Sequence, residues 1–303
     1  MLKIEVKKVH SLTGHRDCVY TLQPSDQPDV FFSASGDGMV VQWNLTNPDT
    51  GQLLAKLPNS IYALHYHPLS NILVVGHNYD GIHFIDWENK RETGSLQLTR
   101  AAIFDIQSSG NTLYIGDGEG WIYQVNLASK AVLNKLKCSE KSVRTLAIHE
   151  GRKELAAGFS DHYIRIFDLE TLGLKQEWKA HTNSVFTVRY TPDGDRLLSG
   201  SRDARLKAWN VSREYQQTTE VVAHMYAINS LDFSPDKKHF VTCSLDKSIK
   251  VWDAKELKLL KVIDRARHAG HGTSVNKVLW TSYNDQFISA SDDRTISVWH
   301  IIF

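Results

Sequence analysis

The chain has only three cysteines among 303 residues, Cys18, Cys138 and Cys243, an odd number spread far apart. A disulfide-stapled fold needs an even, dense set, so the spacing instead fits a reducing compartment. Proline is scarce, with seven in all. No run of apolar residues exceeds four, Ile72 to Val75 being typical, so no segment reads as a membrane-spanning helix. The start, Met1 to Lys8, mixes charge with apolar side chains where a secretory leader would need an unbroken apolar stretch. Excess charge of either sign is missing too: 35 Lys and Arg stand against 34 Asp and Glu. A partner held mainly by global electrostatics, nucleic acid or an anionic membrane, is therefore not indicated. Nor does any long stretch carry an apolar stripe of 3.6-residue period. What remains is a cytoplasmic protein of short segments rich in Val, Ile, Thr, Tyr, Phe and Trp, which points to strands.

Those segments repeat. Gly14-His15, Ala180-His181, Ala223-His224 and Gly270-His271 each open a unit, and Trp43, Trp209, Trp252 and Trp299 each close one. The interval from His to Trp is 28 residues all four times. Three weaker units close at Ile85-Asp86, Val125-Asn126 and Phe167-Asp168, giving steps of 42, 40, 42, 42, 43 and 47 along the chain. The step of 40 implies a turn two residues shorter after Ile106, and the step of 47 extra residues over Asp264 to Ala269. Seven units result, with no block left over.

Inside the fifth unit, Ser184 to Tyr190, Arg196 to Ser201 and Arg205 to Trp209 read as strands parted by turns. A more polar fourth follows over Gln216 to Val222, as befits an exposed edge that must not aggregate. The last unit stops at Phe303 without a fourth strand, while Ile4 to Leu12 is a spare strand before the first. Pairing the two would complete the last unit and close the circle.

The Gly-His and Trp-Asp signals and the period near 42 resemble the WD40-repeat family over essentially the whole chain. The resemblance implies an all-β, seven-bladed β-propeller with four antiparallel strands per blade, spanning residues 1–303 as one domain. Residues 4–12 would form the outer strand of the last blade. It does not select a pathway, because one fold hosts many functions.

Four constellations look catalytic: His15, Ser33, Asp37 and Trp43; His181, Ser199, Asp203 and Trp209; His224, Thr242, Asp246 and Trp252; His271, Ser289, Asp293 and Trp299. A catalytic site is needed once, and this one occurs in four units. In similar propellers the four side chains form a buried hydrogen-bonded network, so no catalytic residue is assigned. The three weaker units carry Tyr79, Glu119 and Asp161 at the Asp position and Leu57, Gln97 and Ser139 at the His position. Blades two to four are therefore expected to rely on packing alone and to be the softer side of the ring.

No metal or cofactor is assigned. His65 and His67 read as a solvated surface pair without companion ligands, and His268 and His271 likewise lack them. The glycine-rich Gly116 to Gly120 leads into a strand rather than a helix, so it is a turn and not a phosphate loop. Lys135 to Arg144 and Arg265 to His268 are basic without interleaved aromatics, which ranks nucleic acid below protein as a ligand.

In similar propellers two kinds of position face the mouth of the central channel: the fifth residue after the His, and the residue before the turn Asp. By register the first kind is Tyr20, Tyr62, Phe104, Arg144, Phe186, Asn229 and Asn276. The second is Gly36, Asn78, Gly118, Ser160, Arg202, Leu245 and Asp292. Aromatic residues and arginine dominate interface energetics, so this face is the expected partner site. The reading is a monomeric, non-catalytic adaptor that brings no effector of its own and clamps a peptide or protein segment within a complex. A subunit of an RNA-associated complex and a propeller hydrolase are the alternatives. The hydrolase would require free acid and base groups converging in the channel, and none is evident in the sequence.

Overall fold

The computed structural model describes residues 4–303. Seven four-stranded antiparallel sheets follow one another in chain order. Their inner strands are Val19–Pro24, Ile61–His67, Ile103–Ser109, Val143–His149, Val185–Tyr190, Ile228–Phe233 and Val275–Trp280, which number the blades one to seven. Inner strands pack on inner strands of the next blade all the way round, including blade seven on blade one. The ring is thus a closed propeller.

Closure takes the expected form. Glu5–Leu12 pairs antiparallel with Ile296–Ile302, from Glu5 opposite Ile302 to Leu12 opposite Ile296. Val6 and Leu12 bury their side chains in the two cores that flank blade seven. The short turn after Ile106 is present, since Ser109 and Thr112 end and begin neighbouring strands. The extra residues before His271 fold into a helical turn, Arg265–His268, capped by the Asp264 side chain. No helix among the described residues is long and apolar enough to cross a membrane.

Two local features set the radius and aim of the ring. The second strand of each blade carries a small residue where the next blade's inner strand arrives. A Cβ added at Gly76, Gly116, Gly158 or Gly200 would come within 2.6–2.8 Å of Ile103, Val143, Val185 or Ile228. Glycine there lets neighbouring blades approach to van der Waals contact. The other feature is a register shift in all seven inner strands, between Val19 and Thr21, Ile61 and Ala63, Ile103 and Asp105, and so on round the ring. Each bulge frees one residue from the ladder and re-aims its side chain. The seven freed residues are Tyr20, Tyr62, Phe104, Arg144, Phe186, Asn229 and Asn276, the set expected at the channel mouth.

The four quartets form as buried networks. His15, His181, His224 and His271 place Nδ1 3.3, 3.0, 2.9 and 2.9 Å from Asp37, Asp203, Asp246 and Asp293. Each Nε2 lies 2.8 Å from the hydroxyl of Ser33, Ser199, Thr242 or Ser289. That hydroxyl accepts in turn from Trp43, Trp209, Trp252 or Trp299 at 2.8–2.9 Å. A neutral imidazole satisfies the whole chain: indole N–H to hydroxyl, hydroxyl to Nε2, Nδ1–H to carboxylate. Burial lowers the pKa of His15, His181 and His224, outweighing the neighbouring carboxylate, so they stay neutral. Burial opposes the charge of Asp203, Asp246 and Asp293, but the histidine and nearby backbone N–H groups prevail and hold each well below the usual carboxylate range. The four hydroxyl residues are fully buried, so no substrate reaches them.

Blades two to four do not rely on packing alone, contrary to expectation. Asp117 in blade three accepts from Glu119 N–H, Trp121 N–H and the Tyr123 hydroxyl at 3.0, 2.8 and 3.1 Å. Asp161 in blade four accepts from Ser139 Oγ at 2.7 Å and Arg165 Nη1 at 2.8 Å. Arg165 also lies over the Phe159 ring. In blade two the Asn59 N–H donates to His77 Nε2 at 3.1 Å, and His83 Nδ1 meets Glu92 at 2.9 Å. In blades two and four different residues tie the same turn to the same entering loop, while in blade three Asp117 braces the turn against its own third strand. His65 and His67 are not a solvated pair either. His65 Nε2 meets Ser108 Oγ at 2.7 Å, and His67 is buried against Ser70 and the Gly110 carbonyl.

Candidate functional site

At one end of the channel the re-aimed side chains form a continuous arc. Tyr20 and Tyr62 have ring centroids 4.6 Å apart, and Tyr62 and Phe104 5.6 Å. The Arg144 guanidinium lies 3.9 Å from the Phe104 centroid and 4.8 Å from that of Phe186, sandwiched between them. Such contacts hold a cation in place without neutralising it. Burial pulls the Arg144 pKa below its ordinary value, yet a guanidinium still carries its charge at neutral pH. Its Nε is buried without a hydrogen-bond partner. An unpaired buried donor is costly unless something arrives to use it.

Asn229 and Asn276 continue the circle, but their amides serve as ties between blades. Asn229 Nδ2 donates to the Val275 carbonyl at 2.8 Å, and Asn276 Nδ2 donates to the Val19 carbonyl at 3.0 Å and to Asp292 at 2.7 Å. The side at Asn229, Asn276 and Asp292 is thus engaged in ties between blades, and the aromatic arc from Tyr20 to Phe186 is not.

The second kind of position sits just outside. The backbone N–H of Gly36, Asn78, Gly118, Ser160, Arg202, Leu245 and Asp292 each donates to the loop entering its own blade, at 2.8–3.3 Å. This sevenfold repetition places all seven at one level of the ring. Asn78 lines the mouth, whereas Arg202 and Leu245 are exposed. A large apolar patch adjoins Leu245: Met225 is 81% and Tyr226 59% exposed on the loop entering blade six. Sequence reading passed over them. Their signal was present, since Met225-Tyr226 follows His224 where the other strong units carry Arg16-Asp17, Thr182-Asn183 and Gly272-Thr273. Tyr79 was missed as well. Register assigned it to a network position, but blade two takes its left-handed turn residue at Tyr79 (φ 72°), and the side chain stands exposed at the channel mouth.

Charged groups do converge deeper in the channel, contrary to the reading of the sequence. The mouth opens into a cavity of about 470 Å³ that includes Asp105, Arg189 and Lys277. A second cavity of about 440 Å³ shares Tyr62, Phe104, Asp105, Arg189 and Lys277 with it and adds His65 and Asp232. Burial pulls the His65 pKa down to about 4, so it is neutral. Asp105 Oδ2 accepts from the Leu146 N–H of the next blade at 2.8 Å, and Asp232 Oδ2 from the Trp280 N–H of its neighbour at 2.8 Å. These carboxylates clasp blades together.

One trio has donor atoms close enough to suggest a metal: His77, Asp80 and His83, all within 4.8 Å of one another. His83 is oriented for it, with Nδ1 against Glu92 and Nε2 facing inward. His77 is not. Its Nε2 accepts the Asn59 N–H, so its proton sits on Nδ1, the atom that faces Asp80. His77 Nδ1 and His83 Nε2 stand 3.9 and 3.7 Å from Asp80, beyond hydrogen-bonding distance, so the trio is a loose ionic cluster in the place of the missing quartet rather than a ready metal site.

Known proteins bear on the same frame. A family model described as WD domain, G-beta repeat, matches residues 6–44, 130–168, 173–210, 215–253 and 262–300. It passes over the units closing at Ile85 and Val125. The chain is 25% identical to the human kinesin-like protein KIF21A over 96% of its own length and 19% of that protein's. It is 24% identical to the 66 kDa stress protein of Physarum polycephalum over 96% of this chain and 47% of that one. With the WD repeat-containing protein 91 homolog of Dictyostelium discoideum it shares 24% identity over 66% of this chain and 27% of that one. The chain therefore spans less than half the length of these relatives. Among solved structures, the WD40 β-propeller domain of Doa1 superposes with a TM-score of 0.86 at 15% identity, over 98% of this chain and 97% of that one.

Proposed function

Because this chain belongs to the WD40-repeat family, whose propellers typically act as interaction scaffolds, we propose that it is a non-catalytic adaptor binding a protein segment at the channel mouth. The observation that carries the reading is Arg144, held between Phe104 and Phe186 with its Nε unpaired. A half-buried, pre-positioned cation flanked by aromatics has the composition of an interface anchor. The ligand is an extended segment. Its apolar side chains lie against Tyr20, Tyr62, Tyr79 and Phe104, and an acidic group pairs with Arg144. Met225, Tyr226 and Leu245 extend the footprint outward, with Arg202 beside them. The scaffold acts as a monomer in the cytoplasm, consistent with three cysteines that form no disulfide. No specific observation favours the hydrolase or the RNA-associated reading. Asp105 and Asp232 are committed to backbone N–H groups.

The test is capture from native lysate with wild type and with Phe104→Ala combined with Arg144→Glu. Removing two anchors is expected to cost about 3–5 kcal/mol of binding, a loss of at least a hundredfold in retained partner. Neither side chain belongs to a quartet, so the melting temperature should stay close to wild type. Undiminished capture by a folded double variant excludes this face.

A further inference from the structure

The channel holds more positive charge than the chain itself neutralises. Arg144, Arg189 and Lys277 line one connected cavity system. Two carboxylates, Asp105 and Asp232, share it and attract Lys277 and Arg189 through space, so three positive groups face two negative ones, and both carboxylates are held by N–H donors rather than by direct ion pairs. Asp105 accepts from Ile106 N–H and Gln107 Nε2 at 2.9 and 3.0 Å and from Leu146 N–H at 2.8 Å. Asp232 accepts from Trp280 N–H at 2.8 Å. Among the described residues, no carboxylate oxygen lies within ion-pairing reach of any of the three cations. Lys277 is also an outlier in its ring. The equivalent inner-strand positions hold Thr21, Ala63, Asp105, Thr145, Thr187 and Ser230, none of them cationic. Burial pushes the Lys277 ammonium pKa down, Asp105 and Asp232 oppose this, and Arg189 adds to it. An excess of positive charge without direct ion pairs in a confined, open-ended cavity is the makings of an anion site, because a docked anion would relieve the remaining repulsion.

We propose that the channel is an oxyanion-binding site in which Lys277 and Arg189 hold a phosphate or carboxylate group that has entered past Arg144. The inference rests on the mouth being the binding face and deepens it: the ligand is acidic, and its acidic group reaches below the aromatic arc. Two sources supply that chemistry, a free inorganic anion or an acidic side chain on the bound segment.

The experiment titrates inorganic phosphate by calorimetry into the full chain, against sodium chloride at equal ionic strength, and runs lysate capture in parallel. Both are done with wild type, Lys277→Met and Arg189→Gln. Replacing an unpaired lysine by the similarly shaped methionine should leave the fold intact, which a thermal melt checks; Arg189→Gln is the second route should it not. If phosphate binds wild type and weakens at least tenfold in both variants, the site takes a free anion. If phosphate does not bind but partner capture falls at least tenfold in both variants, the acidic group belongs to the partner. Phosphate binding that is equal in all three proteins overturns the proposal. So does absent phosphate binding with undiminished capture. Failure of the mouth reading would show separately, as capture that survives Phe104→Ala with Arg144→Glu.

Discussion

Asp246→Ala is expected to lower the free energy of unfolding by about 3–4 kcal/mol, since each buried group left unpaired costs about 1–3 kcal/mol. The carboxylate accepts from His224 Nδ1 at 2.9 Å, Met225 N–H at 3.0 Å, Ser248 N–H at 2.9 Å and Ser248 Oγ at 2.6 Å. Alanine removes every acceptor at once. His224 then loses the partner that fixes its tautomer, and through Thr242 the strain passes to Trp252. Urea unfolding monitored by tryptophan fluorescence reads the change as a lower midpoint. Partner capture measured below the transition should fall only modestly, because of these groups Met225 alone belongs to the outer footprint and none lines the mouth. A shift below about 0.5 kcal/mol, the size of an ordinary surface substitution, would mean the quartet is not holding the turn.

The second large effect is expected at the seam. Val6 and Leu12 are the apolar contacts that the closing strand makes with the cores on either side of blade seven. Replacing both by aspartate sets two carboxylates without partners against buried side chains such as Trp299 and Ile296. Each substitution should cost about 2–4 kcal/mol, and together they should lower Tm by about 8–16 °C. The detached strand would also expose the ladder edge of Ile296–Ile302, so light scattering should rise as unfolding begins. A Tm within about 2 °C of wild type, where a 1 kcal/mol change already moves a domain this large by about that much, would show that the seam does not bear on ring stability.

Much of this structure was legible in the sequence, and the reason differs by element. The quartets could be read because one spacing recurs with the same residue types in four units, where a catalytic site is needed once, and the resemblance to similar propellers implies a buried network. The bulged residues could be read as well, since the family resemblance names the position, and register with the shortened turn after Ile106 carries it from Tyr20 to Tyr62, Phe104 and Arg144. The ties in blades two and three could not, whereas in blade four Ser139 and Asp161 stand at the register positions themselves. Asp117 lies two residues before the position that register assigns, and it reaches its turn from the strand end rather than from the turn itself. Tyr79 escaped because one left-handed residue shifted the turn by a single place. The channel cations escaped for a geometric reason. Arg189 and Lys277 sit on inner strands beyond the mouth, where pleat and bulge together decide which side chains face the axis. Until the blades close into a ring, nothing relates Lys277 on the last inner strand to Arg189 on the fifth.

The most direct test of the account places a photo-crosslinking phenylalanine analogue at three exposed positions, one at a time, in the full chain. Tyr79 stands at the channel mouth, Leu69 in the turn at the opposite end of blade two, and Leu133 on the outer strand of blade three, at 64%, 87% and 57% exposure. After irradiation in native lysate, covalent partner adducts should form from Tyr79 and be weak or absent from Leu69 and Leu133. Adducts from Leu69 or Leu133 with none from Tyr79 would place the partner elsewhere on the ring and contradict the account.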